Sequence, residues 1–253
     1  YFLVILANKL GVNPFLSVPL AALIAALFAF PTSRFVFRLH GGYFAIGTWV
    51  VAEVFRLFFA NISALGGGSG TSLTALAGIP KATREMITYW LALGAVIFAI
   101  GLVYGLLRSR FGLALTAIRD SEIAAESQGI NVRSTKLIVY VLASFGAGLA
   151  GALYYLSNLR ISPDVAFGVN WTAFTIFIVL IGGIGTIEGP ILGALIFWFL
   201  NKFFSDYGSW YLIGLGLLAI VVVIKLRRGL WGAISKKFDL HLFPVQRRLR
   251  VKE

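Results

Sequence analysis

Apolar residues in this chain fall into long runs that carry almost no charge, and short polar breaks separate them. The runs cover residues 15–30, 43–60, 87–107, 137–156, 171–187, 189–204 and 207–224, with an apolar stub at 1–7. Those at 87–107 and 137–156 are uncharged throughout and are the clearest spans. Crossing a bilayer takes about 20 apolar residues at about 1.5 Å of rise each. The shorter runs are therefore expected to be tilted, broken or re-entrant. Strands of an outer-membrane barrel need only about 9–11 residues, so runs of this length predict helices. The expected fold is all-α: a polytopic transmembrane helical bundle with a short cytoplasmic helix and, at 171–204, either two crossings or a re-entrant or broken helix pair.

Composition sharpens the picture. Of 253 residues, 59% are hydrophobic and 13% charged, and the mean hydropathy is +0.89. A soluble domain carries about 25% charged residues, so this chain has too little polar surface to face water all round. The net charge of +12 would suggest nucleic acid in a soluble protein. In a membrane protein it reads instead as basic loops facing anionic lipid, with no nucleic acid involved. The chain has no cysteine, which excludes disulfides and thiol chemistry. It opens at Tyr1 inside an apolar run without a basic n-region, so the expectation is the end of a helix whose start lies upstream.

Orientation follows from the basic residues. If each run crosses once and the C-terminus is inside, the inner stretches 31–42, 108–136 and 225–253 hold sixteen Lys and Arg, and the outer stretches hold five. The positive-inside rule selects this arrangement over its reverse. The domain plan is a transmembrane domain over 1–230, with a cytoplasmic loop at 108–136, and a basic cytoplasmic tail over 231–253 that meets anionic lipid. One turn departs from the rule: GGIGTIEGP (182–190) has no Lys or Arg but four glycines and a proline. Unwound backbone at membrane depth is tolerated where it lines a cavity or is buried in protein.

Small residues recur at helix-packing spacing: Gly101 and Gly105; Ala143, Ala147 and Gly151; Ser144, Gly148 and Ala152; Gly185, Gly189 and Gly193. Such rows let helix backbones approach closely. No Walker A, HExxH or GxSxG pattern is present, and the two histidines, His40 and His241, both stand at cytoplasmic ends. The residues offer no catalytic centre and no metal site, so the chain is expected to be non-catalytic and to carry no cofactor of its own.

The loop RSRFGLALTAIRDSEIAAESQGINVRSTK (108–136) is the most informative stretch. Phe111, Ala114, Leu115 and Ile118 make a helical stripe. Asp120 or Ser121 can cap a second short helix, with Glu122 in its first turn. Gly129 is placed to end that helix in the left-handed conformation. This predicts a helix–turn–helix along the membrane surface, either a passive interfacial element or a dock for a cytoplasmic partner.

Ala124-Ala125, three more residues and Gly129 resemble the coupling loop of ABC importer permeases. The run from Arg108 to Val132, together with GGYFAIGTWVVAEVFRL (41–57), LGGGSG (65–70), ISPDVAF (161–167) and IGGIGTIEGPILGA (181–194), resembles the permease family for branched-chain amino acids, the LivM type. The resemblance spans most of residues 34–230. The usual Glu before the two alanines is Ile123 here, with Glu122 one place earlier, so the contact is expected to use Glu122 or Glu126.

The resemblance implies an importer subunit of a bacterial or archaeal cytoplasmic membrane, working by alternating access. It implies a second homologous permease, two cytoplasmic ATPase subunits that bind the ATP and Mg, and an extracytoplasmic substrate-binding protein. The coupling residues would be Asp120, Glu122, Ala124, Ala125, Glu126 and Gly129. Pathway candidates are Tyr43, Phe44, Glu53, Gly183, Gly185 and Glu188. Glu53 and Arg56 share a helix face and can pair, and intramembrane charges suggest function. Arg160 and Asp164 are candidates for docking the binding protein. Alternatives are an ion-gradient-driven carrier for small polar solutes and a membrane-embedded enzyme or scaffold. The first usually needs more acidic or His residues deep in its spans, and the second needs a reaction cluster that is absent from the sequence.

Overall fold

The computed structural model describes residues 1–226, 229–238 and 242–243. Twelve α-helices account for most of it, and the one sheet among the described residues is a two-residue pairing. In chain order they are α1 (Phe2–Val4, continued by a π-helical turn Ile5–Lys9), α2 (Ser17–Val36), α3 (Gly42–Ala60), β1 (Thr71–Ser72), α4 (Lys81–Arg108), α5 (Arg110–Asp120) and α6 (Glu122–Ser127). After these come α7 (Val132–Asn158), β2 (Arg160–Ile161), α8 (Pro163–Ala166), α9 (Asn170–Gly182), α10 (Glu188–Phe204), α11 (Ser209–Lys225) and α12 (Gly229–Phe238).

Among the described residues, five stretches are long and apolar enough to cross a membrane: Ser17–Val36, Gly42–Ala60, Lys81–Arg108, Val132–Asn158 and Pro163–Gly182. A sixth arises if α11 and α12, bent 43° apart, count as one. Their apolar side chains mostly face outward. α4 buries only Thr88, and Trp90, Val96, Ile97 and Phe98 are exposed. For a soluble protein this would be untenable surface, whereas for a membrane bundle it is the lipid-facing side.

The chain forms two compact units. The first holds residues 1–102 and 109–168. Its centre is α2 against α7, at the row Ser144, Gly148 and Ala152. A Cβ on Gly148 would lie 2.8 Å from the Ala25 Cβ and 2.9 Å from the Ala22 Cα. Ala22 and Leu156 are fully buried there. The pattern alone stops the first span at residue 30, but α2 runs on through Pro31 to Val36. A proline removes one backbone donor and clashes with the preceding turn. Here the carbonyl deprived of its donor is that of Leu27, and the helix runs on past it, with Thr32 Oγ1 donating to the carbonyls of Phe28 and Ala29 and Ser33 Oγ to that of Phe30.

The second unit holds residues 103–108 and 169–253. α9 and α10 are antiparallel and α11 lies beside α9, around Phe177, Ile181, Leu215 and Val222. α9 stops at Gly182, five residues short of the apolar run, because Gly183 (φ 127°) and Gly185 (φ 89°) take conformations that other residues rarely adopt. At 13 residues it is only about 20 Å long. The glycine row is also corrected. Gly189 and Gly193 pack closely, but their partner is Gly182, and Gly185 faces open space in the turn. Gly101 and Gly105 have no neighbour at the Cβ position. Part of the predicted basic tail, 239–241 and 244–253 with His241, lies outside the described residues.

Candidate functional site

The loop between α4 and α7 forms as its sequence predicts. The Ser109 hydroxyl accepts from Phe111 N–H at 3.1 Å and starts α5. Its apolar stripe Phe111, Ala114, Leu115 and Ile118 is half-buried, whereas Leu113 is exposed. Ser121, rather than Asp120, caps α6 by accepting from Ala124 N–H at 3.3 Å. Asp120 ends α5 and pairs with Arg119 at 3.0 Å.

Gly129 takes φ +82°. Its N–H donates to Glu126 C=O at 2.9 Å, and Ile130 N–H donates to Ala125 C=O at 3.1 Å. This is the two-bond left-handed cap that closes helix C-termini. Ala125, 1% exposed, is the one residue of α6 that turns inward. Glu122 reaches Lys136 of α7 at 2.6 Å and so ties α6 to the unit. The outward face then carries Ile123, Ala124, Glu126 and Ser127. Ile123 is 81% exposed, an isolated aliphatic side chain on a polar helix. Sequence reasoning registers it only as a departure from a motif, since exposure is not legible in one residue's identity. The Lys136–Glu122 pair is itself half-exposed, and such pairs contribute under about 1 kcal/mol. Lys136→Met is expected to move the thermal midpoint of the purified protein by about 2 °C or less.

The second set of residues surrounds a cavity of about 550 Å³ within the first unit, lined by α1, α2, α3, α7 and α8. Its walls include Phe28, Phe55, Phe59 and Phe167. Tyr1 stacks on Phe59 at 4.5 Å between ring centres, and Phe59 on Phe167 at 5.8 Å. The first unit also carries a charged triad, none of whose members lines the cavity. Arg56 Nε donates to both Glu53 oxygens at 2.9 and 2.8 Å, Nη2 donates to Glu53 Oε1 at 2.6 Å, and Nη1 donates to Asp164 Oδ1 at 2.6 Å. The Glu53–Arg56 pair is legible from the sequence spacing. Asp164, 108 positions away, is not, because only the packing of α8 against α3 delivers it. Arg160 does not join the triad. It stands on β2, pairs across to Ser72 of β1, and donates weakly to Ser69 C=O at 3.4 Å. Tyr43 and Phe44 lie in the first turn of α3, about 15 Å along the axis from Glu53 at 1.5 Å per residue.

Around the glycine turn, Glu188 is 6% exposed in the first turn of α10, where the helix dipole favours negative charge. Its Oε1 accepts from Phe243 N–H at 2.8 Å, and Gly229 abuts the backbone of Gly182 and Gly183. The turn is therefore covered by the segment that begins α12 and by Phe243. Among the described residues no cluster of His, Asp or Glu is arranged to hold a metal.

Long helices with outward apolar faces define a multi-pass helical membrane protein. The family model described as "Branched-chain amino acid transport system / permease component" matches residues 1–226. The chain belongs to this family of ABC-transporter permeases. It is similar to the high-affinity branched-chain amino acid transport system permease protein LivM of Escherichia coli, at 27% identity over 91% of this chain and 60% of that protein. It is also similar to the probable branched-chain amino acid transport permease protein LivM of Methanocaldococcus jannaschii, at 29% over 70% and 50%, and to the fructose import permease protein FruG of Bifidobacterium longum, at 31% over 53% and 42%. The chain thus spans about 60% of the length of the first of these relatives. No solved structure matches it.

Proposed function

We propose that this chain is a non-catalytic transmembrane subunit of an ATP-driven importer for branched-chain or related amino acids, set in a bacterial or archaeal cytoplasmic membrane. It would work beside a second homologous permease, two cytoplasmic ATPase subunits that bind ATP and Mg, and an extracytoplasmic binding protein that sets much of the selectivity. The C-terminus and α5–α6 face the cytoplasm, as the distribution of Lys and Arg favours, and the basic tail meets anionic lipid. This is alternating access driven from outside the subunit. Closure of the ATPase pair displaces α6, and α5 and α7 carry the displacement into the spans.

The observation that carries this reading is α6 itself, a capped six-residue helix fastened on its inner side by Ala125 and Lys136 with Ile123 presented outward. A fixed helix transmits displacement, whereas a slack loop absorbs it. Ile123 is the apolar anchor and Glu126 its polar flank, and Glu122 is engaged with Lys136.

The test is Ile123→Asp in the complete transporter reconstituted in proteoliposomes. Loss of a central apolar anchor costs about 2 kcal/mol or more of docking, which is over tenfold in affinity. ATP-driven leucine uptake should fall by at least that factor while the amount of permease in the membrane stays unchanged. Uptake at the wild-type rate sinks the coupling role. Resistance to vanadate together with collapse by an ionophore would identify a gradient-driven carrier instead.

A further inference from the structure

We propose that the inner ends of α2 and α7 form a site for one anionic phospholipid, with Arg34 and Arg133 holding the headgroup phosphate. The inference rests on the orientation given above, in which the Val36 end of α2 meets the cytoplasmic leaflet, and it goes beyond the transport reading. α2 is 20 residues long, about 30 Å, which matches the hydrocarbon core of a bilayer. Arg34 lies two residues from its inner end, and Arg133 is the second residue of α7. Both therefore stand where hydrocarbon gives way to headgroups. The continuation of α2 past Pro31 is what brings them together, since a helix that stopped at residue 30 would leave Arg34 in a loop.

The two arginines line one cavity of about 360 Å³, together with Phe30, Pro31, Phe37 and Leu137. Its frame is fixed. α2 and α7 are the most closely packed helices of the first unit, and Ser33, Val36, Val132 and Thr135 are buried at their inner ends. The Phe37 ring meets that of Tyr140 edge to face at 5.5 Å between centres. Among the described residues neither arginine pairs with a carboxylate. Asp120 is taken by Arg119 and Glu122 by Lys136, and Glu126 lies on the outward face of α6. Each guanidinium thus keeps a fork of N–H donors for a ligand, and that fork matches the oxygens of a phosphate. Phe30, Phe37 and Leu137 supply an apolar wall for the start of an acyl chain. Basic pockets between helices on the cytoplasmic side are where anionic headgroups bind. Arg38, one turn beyond Arg34 and exposed, adds a third cation. A headgroup of net negative charge is therefore favoured over a zwitterionic one, whose own ammonium the three cations repel.

The complete permease–ATPase complex, delipidated in detergent, is titrated with phosphatidylglycerol and read by native mass spectrometry. One phosphatidylglycerol per copy of this chain should be held above a weak background. Phosphatidylcholine with the same acyl chains should bind about tenfold more weakly. Arg34→Gln and Arg133→Gln should each weaken phosphatidylglycerol binding by about tenfold, the loss of a hydrogen bond to a charged group. Arg34→Lys, which keeps the charge but not the fork, should weaken it less. Arg110→Gln removes an equal charge from α5 and should leave binding unchanged. Thermal midpoints of the lipid-free variants that match the wild type certify folding, and the comparison of the two lipids needs no variant at all. Binding that survives both glutamine substitutions places the lipid elsewhere, on the basic tail for instance, and overturns the site. Equal binding of phosphatidylcholine overturns the anionic assignment, and displacement by inorganic phosphate overturns the lipid in favour of a free anion. The assay involves no uptake, so the transport reading stands or falls separately.

Discussion

Gly193→Leu is expected to remove the protein from the membrane, or to leave a fraction whose thermal midpoint in detergent is lowered by many degrees. A Cβ at Gly193 would overlap the carbonyl oxygen of Ile178 and stand 3.1 Å from the Gly182 amide, and one at Gly182 would overlap the Gly189 carbonyl. α9 and α10 therefore meet backbone to backbone, and no side-chain rotamer can relieve an added atom. Overpacking a core costs about 1–3 kcal/mol when side chains can shift, and more when they cannot. In a bilayer the consequence is larger, because separated helices gain nothing from water and depend on close packing. Gly101→Leu is the control. Gly101 lies in an equally apolar helix, but nothing stands within 4 Å of its Cβ position, so its midpoint should match the wild type within error. Equal losses at both positions would show that the contact between α9 and α10 is not what holds the second unit together.

That contrast shows what a single sequence makes legible. Rows of small residues at intervals of four mark where two helices can approach, and two of the rows do pack closely, at Gly148 and at Gly189 with Gly193. The sequence does not say which rows are used. Gly101 and Gly105 have the same spacing and no neighbour, and Gly182 replaces Gly185 because the left-handed turn at 183–185 ends α9 before the periodicity would. Local chemistry was the most readable part. The Ser121 cap and the Gly129 stop depend on a few adjacent residues, and both appear where the residue types place them. Contacts between distant segments were not readable. Asp164 reaches Arg56, and Phe243 reaches Glu188, only because tertiary packing delivers them. The continuation of α2 past Pro31 is not legible in the hydropathy pattern, which ends its apolar run at residue 30.

Gly129→Pro is expected to abolish ATP-driven uptake while leaving the amount of folded permease nearly unchanged. Gly129 sits at φ +82° and donates to Glu126, whereas proline is held near −65° and has no N–H. Forcing such a position costs about 1–3 kcal/mol or more, and α6 is too short to absorb it. Its six residues are held at one end by Ser121 and at the other by the bonds to Ala125 and Glu126. Opening the second end frees Ile123 and Glu126 to wander. The buried contacts of α2 and α7 are untouched, so the bundle should persist while the element that receives the stroke becomes slack. Gly129→Asn separates shape from chemistry, because asparagine tolerates the left-handed conformation and keeps the N–H. It should retain most uptake. The decisive measurement is uptake per reconstituted permease beside ATPase activity. A rigid α6 acting as the lever predicts that Gly129→Pro hydrolyses ATP without transport, and transport surviving in that variant would mean the motion enters the spans by another route.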